Sequence, residues 1–121
     1  MDEEEVLRYG LIYSGFDNTR QKGVKRRTNV KRFISCYGVA PKAVAALIKD
    51  LPLKEIEPKK LFLTLNYMKT YETETVLSGW WNESKTTVRN SIKTYLQAIQ
   101  SLKEKKVSLL DISSAPSFSF P

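Results

Sequence analysis

The sequence predicts an all-α domain of about five helices that contains a helix-turn-helix, with a flexible basic N-terminal arm and a short C-terminal tail. Apolar residues recur at the three- and four-residue spacing of amphipathic helices, and prolines, glycines and capping residues stand where those stripes begin and end. With 121 residues, 41% of them hydrophobic, the chain can build one core of ordinary size. We expect an acidic leader and flexible basic arm over 1–27, a helical domain over 28–107 and an irregular tail over 108–121.

The first two predicted helices form a hairpin-like pair. The first is capped by Thr28 or Asn29 and ends at Gly38, whereas the second begins at Pro41 and stops at Pro52. Their apolar stripes follow the i, i+3, i+4, i+7 spacing and consist of Val30, Phe33, Ile34 and Tyr37 and of Val44, Leu47, Ile48 and Leu51.

The third and fourth predicted helices differ in length and breadth. The third runs from Pro58 through Tyr71, and its wide apolar surface indicates a central helix. The fourth is short, from Glu74 to about Trp81, and Thr73 can cap it. Two adjacent tryptophans cannot both point inward from a short helix, so we expect one in the core and one partly exposed. The residues predicted to point inward from this helix are Val76, Leu77 and Trp80.

The last predicted helix is the longest. After a tight turn, Ser84 is a good N-cap, and a helix follows from Lys85 to about Lys105. A medium, a short and a long helix, with a turn of about three residues between the last two, fit a helix-turn-helix. The buried stripe of the long helix is predicted to consist of Val88, Ile92, Tyr95, Ile99 and Leu102.

The composition excludes several classes of chemistry. The chain has no histidine and one cysteine, Cys36, so it has no imidazole base, no Cys/His or Ser/His nucleophile and no Cys/His zinc site. We expect no enzyme, no cofactor, no metal and no small-molecule substrate, and Cys36 is read as a small buried hydrophobe. The longest apolar run, 43–48, is too short to cross a membrane, and the acidic start does not resemble a secretory signal. An intracellular protein, nuclear in a eukaryote, is expected.

Charge is distributed unevenly along the chain. Residues 1–19 sum to −4, residues 20–32 to +7 and residues 33–121 to +4. A dense basic block is typical of segments that bind nucleic acid phosphates, although a nuclear localisation signal or a solvated flank would have the same composition. The arm residues expected to contact phosphates are Lys25, Arg26, Arg27 and Lys31.

The polar face of the long helix is the second candidate site. Centring the apolar stripe places Thr86, Asn90, Lys93 and Gln97 on the opposite side, and no acidic residue occurs between Ser84 and Lys103. Arginine and asparagine can form paired hydrogen bonds with guanine and adenine edges, whereas threonine and lysine suit phosphates or a thymine methyl. A solvated face is the alternative. The full set expected on this face is Ser84, Lys85, Thr86, Thr87, Arg89, Asn90, Lys93 and Gln97.

Several runs of the sequence resemble the helix-turn-helix segment that precedes the catalytic domain in Harbinger-like transposases of the DDE superfamily. The runs are FLTLNYMKTY at 62–71, TETVLSG at 73–79, SKTTVR at 84–89 and YLQAI at 95–99, and the lead-in at 32–51 is also similar. The resemblance covers about residues 25–107 and implies DNA binding. It also implies a nuclease with three metal-binding carboxylates, but no part of these 121 residues matches that domain.

The sequence therefore predicts a non-catalytic module of transposase origin that binds double-stranded DNA. The recognition helix would lie in the major groove, and the basic arm would contact phosphates. The alternative is a helical interaction or architectural subunit that binds an acidic protein or a large assembly, and a protein partner or a second copy is left open.

Overall fold

The computed structural model describes residues 1–110, with side chains up to Lys103, and in this part of the chain it is built from helices without strands. The all-α prediction is confirmed. The helices are α1 (Glu3–Tyr13), α2 (Asn18–Gln21), α3 (Arg26–Tyr37), α4 (Pro41–Asp50), α5 (Pro58–Thr70), α6 (Glu74–Trp81) and α7 (Lys85–Leu110). The predicted tail over 108–121 lies almost entirely outside the described residues. None of the described helices is both long and apolar enough to cross a membrane.

The first 27 residues are not the flexible leader and arm expected from the sequence. They contain α1 and α2, which raise the number of helices in the described part from five to seven. The Asp2 side chain caps α1 by accepting a hydrogen bond from the Glu5 backbone N at 2.8 Å, and Val6 and Leu11 are fully buried. The prediction was wrong because it was based on the charges of this segment and neglected the short apolar stripe that α1 buries.

Helix α1 is packed directly against α3. At Gly10 the two helices approach so closely that an added Cβ would lie 2.2 Å from Cε2 of Phe33. The Tyr37 hydroxyl donates a hydrogen bond to the Gly10 carbonyl at 2.5 Å, and its burial raises the pKa of Tyr37. Tyr13, at the end of α1, contacts the rings of Phe62 and Trp81. The N-terminal helix is thus part of the core.

The boundaries of α3 and α4 agree with the predicted pair except at the start of α3. That helix begins after Lys25, which makes no side-chain capping bond, and not after Thr28 or Asn29. Asn29 is buried inside the helix, and its Nδ2 donates to the Gln21 carbonyl at 3.4 Å. Gly38 ends α3 with a left-handed φ of 77°, and Pro41 begins α4, as predicted.

Helix α5 is the central helix that the breadth of its apolar surface predicts. Every residue from Leu61 to Asn66 is buried, and both α3 and α7 pack against it. Phe62 lies at the centre of an aromatic cluster, with its ring 5.2 Å from that of Tyr37 and 6.0 Å from that of Phe33, centroid to centroid.

Helix α6 buries a different face from the predicted one. Leu77 points inward as expected, but Val76 is 49% and Trp80 65% exposed, while Trp81 is only 3% exposed. One tryptophan is therefore in the core, as predicted, but it is Trp81. Its indole Nε1 donates to Oδ1 of the buried Asn66 at 3.3 Å, a contact that an adjacent position on the helix could not make.

Helix α7 buries the predicted stripe and keeps the opposite side open. Val88, Tyr95 and Ile99 are buried, while Ile92 and Leu102 are half-buried. Ser91 is also buried, and the Thr64 hydroxyl of α5 lies 3.3 Å from its carbonyl oxygen. Small side chains at this crossing let α7 lie close to α5, which fixes the direction in which its polar face points.

Candidate nucleic-acid interface

The start of α7 is fixed by its own cap. The Ser84 hydroxyl accepts a hydrogen bond from the Thr87 backbone N at 3.1 Å and donates to the Thr87 hydroxyl at 2.9 Å. These two predicted contact residues therefore have a structural role, and Thr87 is only half exposed. The remaining predicted residues of this face are all exposed: Lys85, Thr86, Arg89, Asn90, Lys93 and Gln97.

The exposed cations of α7 form a row on one side of the helix. Lys85, Arg89 and Lys93 are each four residues apart, so they lie one above another, and Gln97 extends the row by one more turn. Asn90 lies beside this row. Within the described residues Lys85 and Lys93 form no ion pair, and their ammonium groups face solvent.

Acidic residues from other helices nevertheless reach this face. Glu74, at the start of α6, holds Arg89 through an Oε2 to Nε distance of 2.9 Å. Glu55 and Glu57 line a groove of about 280 Å³ together with Asn90 of α7. The inference from the acid-free stretch 84–103, that nothing here repels phosphate, was wrong, because the fold brings carboxylates from α6 and from the α4–α5 connection alongside.

The basic residues predicted in the arm lie on a helix. Lys25 precedes α3, and Arg27 and Lys31 are one turn apart on its exposed side, where they form no ion pair among the described residues. Arg26 differs, because its guanidinium contacts Glu3 at 2.9 Å and Glu4 at 2.8 Å, and these hydrogen bonds raise the pKa of Arg26. One of the four predicted phosphate contacts, Arg26, is therefore already engaged in ion pairs within the protein.

Two further arginines of the basic block are also held by the fold. The guanidinium carbons of Arg20 and Arg32 lie 4.8 Å and 4.6 Å from the ring centroid of Phe16. Arg32 also donates to the Arg20 carbonyl at 3.2 Å and to Oδ1 of Asn29 at 3.3 Å. The exposed cations of this region that form no ion pair among the described residues are Arg20, Lys22, Lys25, Arg27 and Lys31, of which Arg20 and Lys22 were not among the predicted contacts.

A metal-binding cluster and an activated cysteine are both absent from the described residues. No three His, Cys, Asp or Glu side chains among them are placed to hold a metal ion. Cys36 is half-buried, and its Sγ lies 3.4 Å from the amide Nδ2 of Asn66. Burial raises the pKa of the Cys36 thiol, which disfavours the reactive thiolate.

Comparisons with protein-family models, with curated proteins and with solved structures find no match to this chain. The functional assignment therefore depends on the geometry and charge of its own surface.

Proposed function

We propose that this chain is a non-catalytic module that binds double-stranded DNA, with α5, α6 and α7 acting as a helix-turn-helix. The main support for this proposal is the row of exposed cations on α7. The opposite face of α7 packs against α5, so the polar side of the helix stays exposed. The three-residue connection between α6 and α7 contains Asn82 in a left-handed conformation with φ 53°, a sharp turn that suits such a motif.

The two parts of the proposed interface have different tasks. The N-terminal half of α7 enters the major groove, where Arg89 and Asn90 read base edges while Lys85 and Lys93 contact phosphates. Thr86 and Gln97 add polar contacts at the margins. Further phosphate contacts come from Lys25, Arg27 and Lys31. Because these residues lie at the start of α3 or within it, they are held by a helix and not by a flexible arm that could follow a groove.

The Glu74–Arg89 ion pair does not prevent this mode of binding. Both side chains are well exposed, and exposed pairs contribute only about 0.2–1 kcal/mol. Contact with a base or a phosphate can replace the carboxylate, or Arg89 can keep it while extending its other guanidinium nitrogens toward DNA.

The resemblance to Harbinger-like transposases supports an origin as the DNA-binding part of such a protein, and this origin would suit a nuclear location. The alternative is an interaction subunit that uses the same cations to bind an acidic protein. Binding to an acidic protein at a salt concentration that abolishes DNA binding would favour the alternative.

Paired charge removals test the proposal. Lys85→Gln with Lys93→Gln should weaken binding to a fluorescently labelled duplex about tenfold or more, because each lost phosphate contact removes counterion release. Lys42→Gln with Lys49→Gln is the matched control, since it removes the same charge from the exposed side of α4. Equal losses in both double variants would refute a specific role for α7. Arg89→Ala with Asn90→Ala should reduce discrimination between duplex sequences more than total affinity.

A further inference from the structure

A cavity of about 300 Å³ lies between the end of α5 and the middle of α7. Its apolar walls consist of three side chains from the end of α5 and two from α7, which are Tyr67, Met68, Tyr71, Leu96 and Ile99. The rings of Tyr67 and Tyr71 meet edge to face with their centroids 5.9 Å apart, and Tyr71 is 66% exposed. The cavity therefore offers a flat ligand both aromatic and aliphatic contacts.

The other side chains that line this cavity are polar. They are Gln100 and Lys103, and no acidic residue lines the cavity among those that the structure describes. Gln100 is half-buried, and its side-chain amide forms no hydrogen bond within the described residues. Partial burial of an unpaired amide is unfavourable unless water or a ligand supplies the missing partner. Lys103 is exposed and adds positive charge beside the cavity.

Tyr71 occupies a backbone position that does not favour tyrosine. It ends α5 in the left-handed conformation with φ 55°, where glycine or asparagine is usual and a bulky side chain is disfavoured. The ring is too exposed to stabilise the core much in return. A bulky aromatic residue kept at such a position indicates a role in contact with a ligand.

The cavity continues the side of α7 that carries the row of exposed cations. Seven residues separate Lys93 from Gln100, so the two side chains lie within about 20° of each other around the helix axis and about 10 Å apart along it. That distance corresponds to roughly three base-pair steps of a duplex. DNA bound by the cation row would therefore lie close to the cavity.

We propose that this cavity binds an unpaired nucleobase in a single-stranded extension at the end of the duplex that α7 contacts, an inference that rests on the proposed function. The base stacks on the Tyr71 ring, its edge forms hydrogen bonds with the Gln100 amide, and Lys103 contacts the adjoining phosphate. An apolar side chain of a protein would leave the Gln100 amide without a partner, whereas every base has a polar edge that can pair with it.

Fluorescence anisotropy of the full chain with three labelled duplexes of one sequence tests this proposal. The first duplex is blunt, the second carries a single-stranded extension of three thymidines, and the third carries an extension of three abasic nucleotides. The thymidine extension should tighten binding at least about fivefold, the lower limit for stacking one base on an aromatic side chain. The abasic extension has the same phosphates and should give little of this gain.

Substitution of Tyr71 locates the site. Tyr71→Asn should abolish the gain from the thymidine extension and leave affinity for the blunt duplex unchanged, while Tyr71→Phe should keep the gain because it keeps the ring. Asparagine tolerates the left-handed backbone, so the first variant should fold, which circular dichroism can check. Tyr9→Asn is the matched control, because it removes an exposed aromatic ring from α1 without changing the charge.

The outcomes separate the base site from the DNA proposal. Equal binding of the blunt and the thymidine-extended duplex would overturn the base site and leave duplex binding intact. A gain that persists in Tyr71→Asn, or that the abasic extension reproduces in full, would show that the extension binds elsewhere. If none of the three duplexes binds at low salt, the DNA proposal fails and the base site fails with it.

Discussion

The carboxylate of Glu74 holds the Arg89 guanidinium in an exposed ion pair. Its two oxygens lie 2.9 Å and 3.4 Å from Nε of Arg89, so the guanidinium is held from one edge while its other nitrogens stay exposed. In the proposed complex this contact positions the arginine but places a negative charge close to DNA. Specificity and affinity are therefore expected to respond to Glu74 in opposite directions.

Glu74→Gln should raise affinity for a non-specific duplex by about two- to five-fold, because it removes a charge that repels phosphate, and should reduce discrimination between sequences. Fluorescence anisotropy with a selected and an unrelated duplex measures both quantities. Glu72→Gln removes the same charge two residues away without contacting Arg89 in the described structure. If the two variants change discrimination equally, Glu74 does not position Arg89.

The hydrogen-bond partners of Asn66 could not be predicted from the sequence. Its Nδ2 donates to the Cys36 carbonyl at 2.9 Å and its Oδ1 accepts from Trp81, so one buried amide connects α3, α5 and α6. Among the described residues every buried side-chain polar atom has a partner. The sequence shows an asparagine within an apolar run, but its partners depend on how three helices are arranged, which no local pattern contains.

The elements from α3 onward were largely predictable because strong local signals mark their ends. Gly38 adopts the left-handed conformation that terminates α3, and Pro41 and Pro58 occupy first helical turns. Helix α1 could also have been predicted, because its buried positions Val6, Leu7, Gly10 and Leu11 follow helical spacing, but the charges of the segment were given more weight than this stripe. The start of α3 was missed because Lys25 has no capping side chain to mark it.

Gly10→Ala should destabilise the protein by about 1–3 kcal/mol, because the new methyl group would overlap the Phe33 ring and push α1 away from α3. Urea unfolding followed by circular dichroism measures the change in free energy of unfolding. The same substitution at Gly79, where the space is open, should be neutral or stabilising by up to about 1 kcal/mol. Similar midpoints for both variants would show that α1 is not docked as described.

At the scale of the whole molecule, folding redistributes the charge that the sequence displays as separate blocks. The acidic start of α1 reaches the basic block through Arg26, and carboxylates from α6 and the α4–α5 connection lie beside α7. The sequence predicted which residues of α7 are exposed, since helical period decides that. It could not predict their acidic neighbours, because those come from distant parts of the chain.

The salt dependence of binding to double-stranded DNA tests the central claim most directly. If Lys85, Lys93, Lys25, Arg27 and Lys31 each contact one phosphate, the observed affinity should fall with a slope of about −4.5 in a plot of log affinity against log salt. Removing Lys85 and Lys93 should reduce the magnitude of that slope by about two units. Affinity for DNA that is absent at low salt, or that does not change with salt, would contradict the account.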